Sequence, residues 1–471
     1  MQSPPPGFTG RLKRAVTADA GTPLVFLGNF EVENQWALGE PALPRVAAHA
    51  GSAVVNRMDE FALLLGGKDD HVVLKTALDD GYRAYLEGLG LPLPTVHVVA
   101  GQRPRRTVSE DALADPELLR TLTALAADGA RLTAHGISTV EEELAERTGL
   151  RLAAPPADRC KHVNSKVYSR RLADELGIRQ ARGSACETLE ELAAAVAAAG
   201  ELLAAGHRVV VKDAFGVSGK GIVVVDNERT LARLHRMAAA QAERTARAAG
   251  TAVRTALVIE EWVAKRADLN YQFTVGRDGG VHFDFVKELL TEGGVHKGHR
   301  MPARLSEAQV AVVRESAHRI GGRLAADGYF GVVGVDAMID PDEGLYPVVE
   351  INARNNMSTY QAVVHEVLAG PDDVAVARHF PLRPHRPLPF AELRDALGPS
   401  LLTQPGARPH GLFVNNYATV NAAAAEDAGA GEGGFEGRLY GVLLADSDER
   451  IEALATDITR RLAALTERSW T

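Results

Sequence analysis

Two cysteines in 471 residues, Cys160 and Cys186, leave no disulfide framework and no thiolate metal pattern. That usage fits a reducing cytoplasm, and both thiols are expected to be inert. Long apolar runs are missing as well: the longest are short or Ala-rich and soon broken by charge, so none has the length of a membrane span. The opening MQSPPPGFTGRLKRAV lacks the continuous apolar core of a signal peptide. Nor is there a basic excess. With 52 Lys and Arg against 61 Asp and Glu the net charge is −9, which removes a global footprint for nucleic acid. No internal repeat stands out. What is present, 46% hydrophobic and 24% charged residues over 471 positions, is ordinary for a globular chain of about two to four domains.

Residues 1–22, rich in Pro and Gly, read as a flexible lead-in. PLVFLGN then begins a strand, LGLPLPTVHVVA gives another, and the alternation of strand and helix over 23–154 argues for an open α/β layer with ligand sites at strand ends. Pro155 and Pro156 mark a boundary. A helix follows from Asn164 to Gly177, and a second opens with the capping-box spacing Thr188 to Glu191. RVVVKDAFGVSGKGIVVVD reads as strand, glycine loop, strand. TALVIEEWV is a strand, LNYQFTVG and VHFDFV an antiparallel pair, and Ser306 with Gln309 caps a helix that ends near Gly328. After about residue 385 come a Pro-rich linker, a Gly/Ala/Glu-rich insert at 422–434 expected to be mobile, the strand RLYGVLLA and a helix from Asp448.

The strands GVVGVDAMI and LYPVVEINARNN are joined by Pro341, Asp342, Glu343 and Gly344. Read as a hairpin centred near Glu343, they set Asp336 directly across from Glu350. Facing carboxylates repel unless a cation or a proton lies between them. Asn352 and Arg354 share a face with Glu350 if the strand stays extended. Two carboxylates and an amide oxygen form a hard donor set, which suits Mg²⁺, or Mn²⁺, better than zinc or copper. A charged hairpin that keeps a sheet edge soluble is the plain alternative.

The loop from Asp213 to Gly221 carries glycines 216, 219 and 221, which let backbone N–H groups approach phosphate oxygens. Its GxxGxG order between two strands is neither a Walker loop nor a dinucleotide fingerprint. Lys212 ends the preceding strand, where its ammonium can reach a phosphate.

This order of elements resembles the ATP-grasp ligases over about 155–380, within an ATP-grasp domain expected over 155–384. The resemblance implies an α/β (α+β grasp) fold: an N-terminal open α/β pre-ATP-grasp domain over 23–154, a two-lobed ATP-grasp domain with a lid-like subdomain at about 188–265, and a small α+β C-terminal domain over 385–471. It implies ATP as the nucleotide, with Lys166, Lys212, Phe215, Gly216, Ser218, Gly219 and Gly221 around its phosphates. The hinge strand with Glu260, Glu261, Trp262 and Val263 is implied to hold adenine and ribose, with Asp268 and Asn270 as weaker ribose candidates. Asp336, Glu350 and Asn352 match the metal ligands, and Arg354, with Lys212, the catalytic residues.

The N-terminal FLGNFEVENQWAL and RMDEF…DDHVVLK segments, EINARNNMSTYQ, and the tail are similar to the pheganomycin-type peptide ligases. These are natural-product enzymes that join a nonproteinogenic amino acid to the amine of a peptide through an acylphosphate. That resemblance implies small-molecule amino-acid and peptide or amine substrates, and it is compatible with a homodimer.

KELLTEGGVHKGHR is expected as a mobile basic lid over a carboxylate or phosphate, through Lys287, His296, Lys297, His299 and Arg300. His135, in TAHGIST, either reaches a domain interface or is structural. Two rivals to the ligase stay open: a carboxylase or nucleotide-precursor enzyme that phosphorylates bicarbonate, and a nucleotide-binding regulatory module without catalysis.

Overall fold

The computed structural model describes residues 7–43, 53–104, 106–216, 221–292, 295–370, 372–404, 410–424 and 434–468, with the backbone alone at 292, 295–296 and 466–468. Five short strands, β1 (Leu24–Leu27), β2 (His71–Leu74), β3 (Thr95–Val98), β4 (Arg131–Ala134) and β5 (Arg151–Leu152), form a parallel sheet in the order β3-β2-β1-β4-β5. All four residues of β1 are buried, as expected for an apolar run with helices on both faces. The order reverses between β1 and β4, which opens a crevice at their carboxyl ends. Gly136, just past β4, has Val32 and Trp36 against it: a Cβ there would meet both side chains at 2.9 Å. Only glycine lets the short helix Val32–Trp36 settle over that crevice.

Residues 8–17, expected within the flexible lead-in, are instead the helix Phe8–Thr17. Phe8, Leu12 and Val16 recur every fourth residue and bury one stripe. Lys13 adds a buried ion pair to Asp70 at 2.7 Å, and Asp70 also accepts the N–H of Leu24 and of Gly67, both at 2.8 Å.

A second sheet is antiparallel, in the order β6-β9-β7-β8: β6 (Gly183–Cys186), β7 (Val209–Asp213), β8 (Ile222–Val225) and β9 (Leu257–Glu261). The helices Leu189–Ala204 and Glu228–Ala249 cover it, and the first carries the expected capping box of Thr188 and Glu191. The third sheet has eight antiparallel strands: β10 (Ala267–Val275), β11 (Val281–Glu292), β12 (Val295–Met301), β13 (Gly331–Ile339), β14 (Leu345–Asn352), β15 (Val374–Leu382), β16 (Gly411–Asn416) and β17 (Gly437–Ala445). Their order is β14-β13-β10-β11-β12-β15-β17-β16, so the C-terminal α+β piece adds β16 and β17 to the far edge. One apolar core joins the helix Phe8–Thr17, part of the parallel sheet, this edge and the helix Asp448–Arg468. Most of the insert at 422–434 lies outside the described residues.

The stretch 287–300, expected as a mobile lid, belongs to β11 and β12 of this sheet wherever it is described, residues 293 and 294 lying outside the described residues. Lys287, His299 and Arg300 are buried there, and Arg300 pairs with Asp448 at 2.8 Å. Lys297 is exposed, while the side chain of His296 lies outside the described residues. The chemistry of a basic, Gly-bearing segment suggested a loop, but the partner strands β10 and β15 enclose it.

Both cysteines are buried, and burial pushes each thiol up to about 12. They are therefore poor nucleophiles at neutral pH. Among the described residues no helix is long and apolar enough to cross a membrane.

Glu60 ties the first domain to the tail: its carboxylate accepts the N–H of Tyr417 and of Ala418. Burial pushes it up to about 7 in spite of those bonds. A carboxyl raised in the folded state contributes stability that is complete below its unfolded value and is lost as pH rises through about 7. Glu60→Gln, which stays neutral, is therefore expected to gain about 2–3 kcal/mol over the native chain between pH 5 and pH 8. Denaturant unfolding at the two pH values checks this, and an equal difference at both contradicts it.

Candidate active site

Four neighbouring strands place one row of side chains on a single face of the large sheet. Lys287 of β11 pairs with Asn270 of β10, Asn270 with Asp336 of β13, and Asp336 with Glu350 of β14. Directly opposed residues project to the same side of a sheet, so the row is continuous. The expected facing of Asp336 and Glu350 is present, although the hairpin is not regular. Near the turn Ile339 pairs with Leu345 and Met338 with Tyr346, a register two residues short of that at Asp336. The shift falls at Pro347, which has no N–H to give the ladder.

Repulsion between the two carboxylates is met by donors from several elements. Asn270 and Asn352 give amide N–H groups to Asp336 at 2.8 and 3.2 Å. Lys166, in the first turn of the helix Lys166–Glu175, gives its ammonium to Glu350 at 2.6 Å and to the carbonyl of Gly216 at 2.7 Å. Lys166 thus links the glycine loop to the hairpin. Burial, and then the charge of Glu350, raises Asp336 above the usual carboxylate range. Lys287 donates to the Ser358 hydroxyl at 2.5 Å, and burial lowers its ammonium to about 7 against the pull of Asp336.

Among the described residues no three His, Cys, Asp or Glu side chains converge as a metal site. The oxygen-rich set is two carboxylates with amides, and Asn270 Oδ1 beside them is buried without a partner. A hard divalent cation fits such oxygens.

The four-stranded sheet faces this row with its own lysine and acid. Lys212 near the end of β7 pairs with Glu260 of β9, whose other oxygen lies 3.4 Å from Arg170. Arg170 also holds the carbonyls of Ala181 and Gly183 at 2.6 and 2.8 Å. The resemblance singles out Lys166 alone on this helix, yet Arg170 is four residues on, the spacing that puts both on one helix face. Glu261 takes the opposite side of its strand, with Arg182 at 2.8 Å and His207 at 3.0 Å, and these hold its carboxyl below the usual range. Its side chain is therefore not brought to the row. Trp262 and Val263 begin the link to β10, with Trp262 exposed and the Arg208 guanidinium 5.8 Å from its ring centre.

Gly221 sits at φ +79, where a side chain would be strained and would meet Asp213. Phe215 is half-buried, with the Lys161 ammonium 5.5 Å from its ring centre, while Ser218 and Gly219 lie outside the described residues. Asp268 is bound by Lys265 at 2.5 Å and lines a groove of about 600 Å³ together with Glu288, Lys297 and Arg378.

Arg354, just past β14, is half-buried and turned toward the parallel sheet. Its Nε and Nη2 both donate to Glu33, at 2.8 Å from Nε, and Nη2 also reaches Asn352 Oδ1 at 3.2 Å. Glu33 lies in the quoted segment FLGNFEVENQWAL, but no sequence signal singled it out. His135 does reach the domain interface. Its ring stacks on Phe30 at 4.4 Å and its Nδ1 lies 2.8 Å from the Tyr360 hydroxyl.

Two antiparallel sheets, each carrying an acid paired to a lysine, thus stand beside a parallel one. Residues 58–150 match the Pre ATP-grasp domain family, and residues 165–377 match the carbamoyl-phosphate synthase L chain ATP-binding domain family. The chain carries a pre-ATP-grasp domain followed by an ATP-grasp domain.

The [butirosin acyl-carrier protein]–L-glutamate ligase of Niallia circulans is 33% identical over 211 residues, which cover 44% of this chain and 47% of that protein. The formate-dependent phosphoribosylglycinamide formyltransferase of Methanocaldococcus jannaschii is 27% identical over 203 residues, 41% of this chain and 46% of that protein. The matches thus span about half the length of these curated relatives. Among solved structures, an ADP complex of N5-carboxyaminoimidazole ribonucleotide synthetase superposes with a TM-score of 0.51 at 14% identity, covering 95% of this chain and 98% of that one. A biotin carboxylase from Campylobacter jejuni gives 0.52 at 15%, covering 94% and 95%. Likeness at that identity establishes the fold alone.

Proposed function

We propose that this protein is an ATP-dependent ligase that joins an amino-acid carboxylate to the amine of an amino acid or peptide, with release of ADP and phosphate. The observation that carries the reading is the bridge made by Lys166, from the Gly216 carbonyl of the phosphate-type loop to Glu350 of the carboxylate row. A triphosphate lying between the lobes would meet Lys166 on one side and Lys212 on the other, each now paired with an acid that a nucleotide and its cation would displace. Asp336, Glu350 and Asn352 are the residues that would hold Mg²⁺. Bound there, the cation supplies charge neutralisation for the transferring phosphoryl group.

In the first step a carboxylate oxygen bonds to the γ-phosphorus and the bond to ADP breaks, leaving an acylphosphate. The lysine ammoniums spread the charge that develops. In the second, the amine nitrogen bonds to the acyl carbon, the carbon–oxygen bond to phosphate breaks, and phosphate leaves with that electron pair while the amine loses a proton. Arg354, planar and always cationic, is suited to the oxyanion of this step. Support for a ligase over a bicarbonate-phosphorylating enzyme comes from the Niallia circulans relative, itself named as a ligase of L-glutamate. The similarity to pheganomycin-type ligases extends the reading to natural-product assembly, and the cysteine usage to a reducing cytoplasm.

Purified protein with ATP, Mg²⁺ and pools of amino acids, with and without hydroxylamine, tests the reading. Donor-dependent ADP and phosphate with hydroxamate formation is expected. Phosphate release driven by bicarbonate alone would favour the carboxylase rival, and AMP would end the acylphosphate scheme.

A further inference from the structure

We infer that Glu33, on the short helix after β1, is a positioning residue for Arg354, so that the pre-ATP-grasp domain completes the site of amine attack; this rests on the ligase reading above. In open α/β sheets the crevice where strand order reverses is where ligands usually bind. Here that crevice receives the chain that follows β14. Asn355 donates its backbone N–H to the His135 carbonyl at 3.0 Å and its side-chain amide to the Ala134 carbonyl at 3.3 Å, both at the carboxyl end of β4. Glu33 comes from the other wall, past the end of β1. Farther along the same segment Tyr360 meets His135 at 2.8 Å. The segment is thus held at three residues, Arg354, Asn355 and Tyr360, by a domain that is distant in sequence.

The hold on Arg354 fixes more than its charge. Nε and Nη2 converge on a single oxygen of Glu33, Nη2 also gives to Asn352 Oδ1, and Nη1 gives to the Asn355 carbonyl at 2.9 Å. These four bonds set the guanidinium plane and leave one of its five donor hydrogens for a ligand. Arg354 and Glu33 side chains are 14% and 19% exposed, so the pair sits at the rim of the cleft with little water to compete. A planar donor fixed beforehand loses little when an oxyanion develops against it, and this is how a group outside the reacting atoms acts on a rate.

The test compares native protein with Glu33→Gln and Glu33→Asp. Pools of common and nonproteinogenic amino acids serve as donors, with either hydroxylamine, a stronger nucleophile that also traps acylphosphate released from the site and so depends less on Arg354, or diglycine as acceptor. The ratio of amide to hydroxamate is expected to fall on the order of tenfold to hundredfold in Glu33→Gln, and less in Glu33→Asp, which keeps the charge on a shorter arm. A ratio equal to that of the native protein in both variants overturns the inference, whether total activity falls or not. If native protein makes neither product, the ligase reading fails. The unfolding free energies of Glu33→Ala, Arg354→Ala and the double variant then judge the pair: non-additive effects support it and additive effects overturn it.

Discussion

Glu350→Ala is expected to lower ADP formation by at least about a thousandfold, because it deletes one of two opposed metal-type carboxylates and leaves the phosphoryl group without its neutralising partner. The fold should survive. Glu350 is partly exposed at the cleft, and its loss relieves repulsion with Asp336, which that charge helps to raise. Lys166 loses an ion pair but keeps the Gly216 carbonyl at 2.7 Å. A melting temperature near that of the native protein with turnover abolished is therefore the expected combination. Turnover within a few-fold of native would remove the hairpin from the active site.

Lys212→Ala is the second large effect, and it falls on nucleotide binding. The lysine is buried at the mouth of the glycine loop and pairs with Glu260. Breaking a buried pair usually strands the other charge. Here Glu260 retains Arg170 at 3.4 Å, so the structural penalty is softened and the functional one can be read. The KM for ATP is expected to rise by at least about tenfold, the cost of a lost charge-assisted contact to phosphate, with the KM for the amino-acid donor little changed. Steady-state kinetics with each substrate varied in turn checks this. An unchanged KM for ATP would move the phosphate contact elsewhere.

Arg170→Ala would then be expected to weaken the same side of the cleft through Glu260. Because Arg170 also holds two carbonyls at the start of β6, its loss mixes a structural effect with a functional one. Lys212 is the cleaner probe.

The hairpin was readable because its signals are local. A turn and two β-rich segments place the hairpin, and the irregularity at Pro347, which shifts the register by two residues from that at the turn, sets Asp336 across from Glu350. Capping boxes at Thr188 and Ser306 are likewise written within four residues of chain. The parallel sheet announced itself by fully apolar runs such as LVFL.

What escaped was non-local or masked by composition. The helix Phe8–Thr17 has a regular apolar stripe, but the Pro-rich residues before it read as a tail. Lys287, His299 and Arg300 look solvated by chemistry and are buried because β10 and β15 flank their strands, a fact that no local window contains. Glu261 was grouped with Glu260, although alternation along β9 sends it to Arg182 and His207. The meeting of Glu33 with Arg354 joins residues 321 apart, so only the folded chain could reveal it.

The most direct test of the ligase account follows oxygen. Amino-acid donors with heavy-oxygen-labelled carboxylates, incubated with ATP, Mg²⁺ and diglycine, are expected to deliver one labelled oxygen to each phosphate released alongside ADP, because the donor carboxylate attacks the γ-phosphorus. Unlabelled phosphate, or label in AMP, would contradict the acylphosphate and with it the role assigned to the carboxylate row.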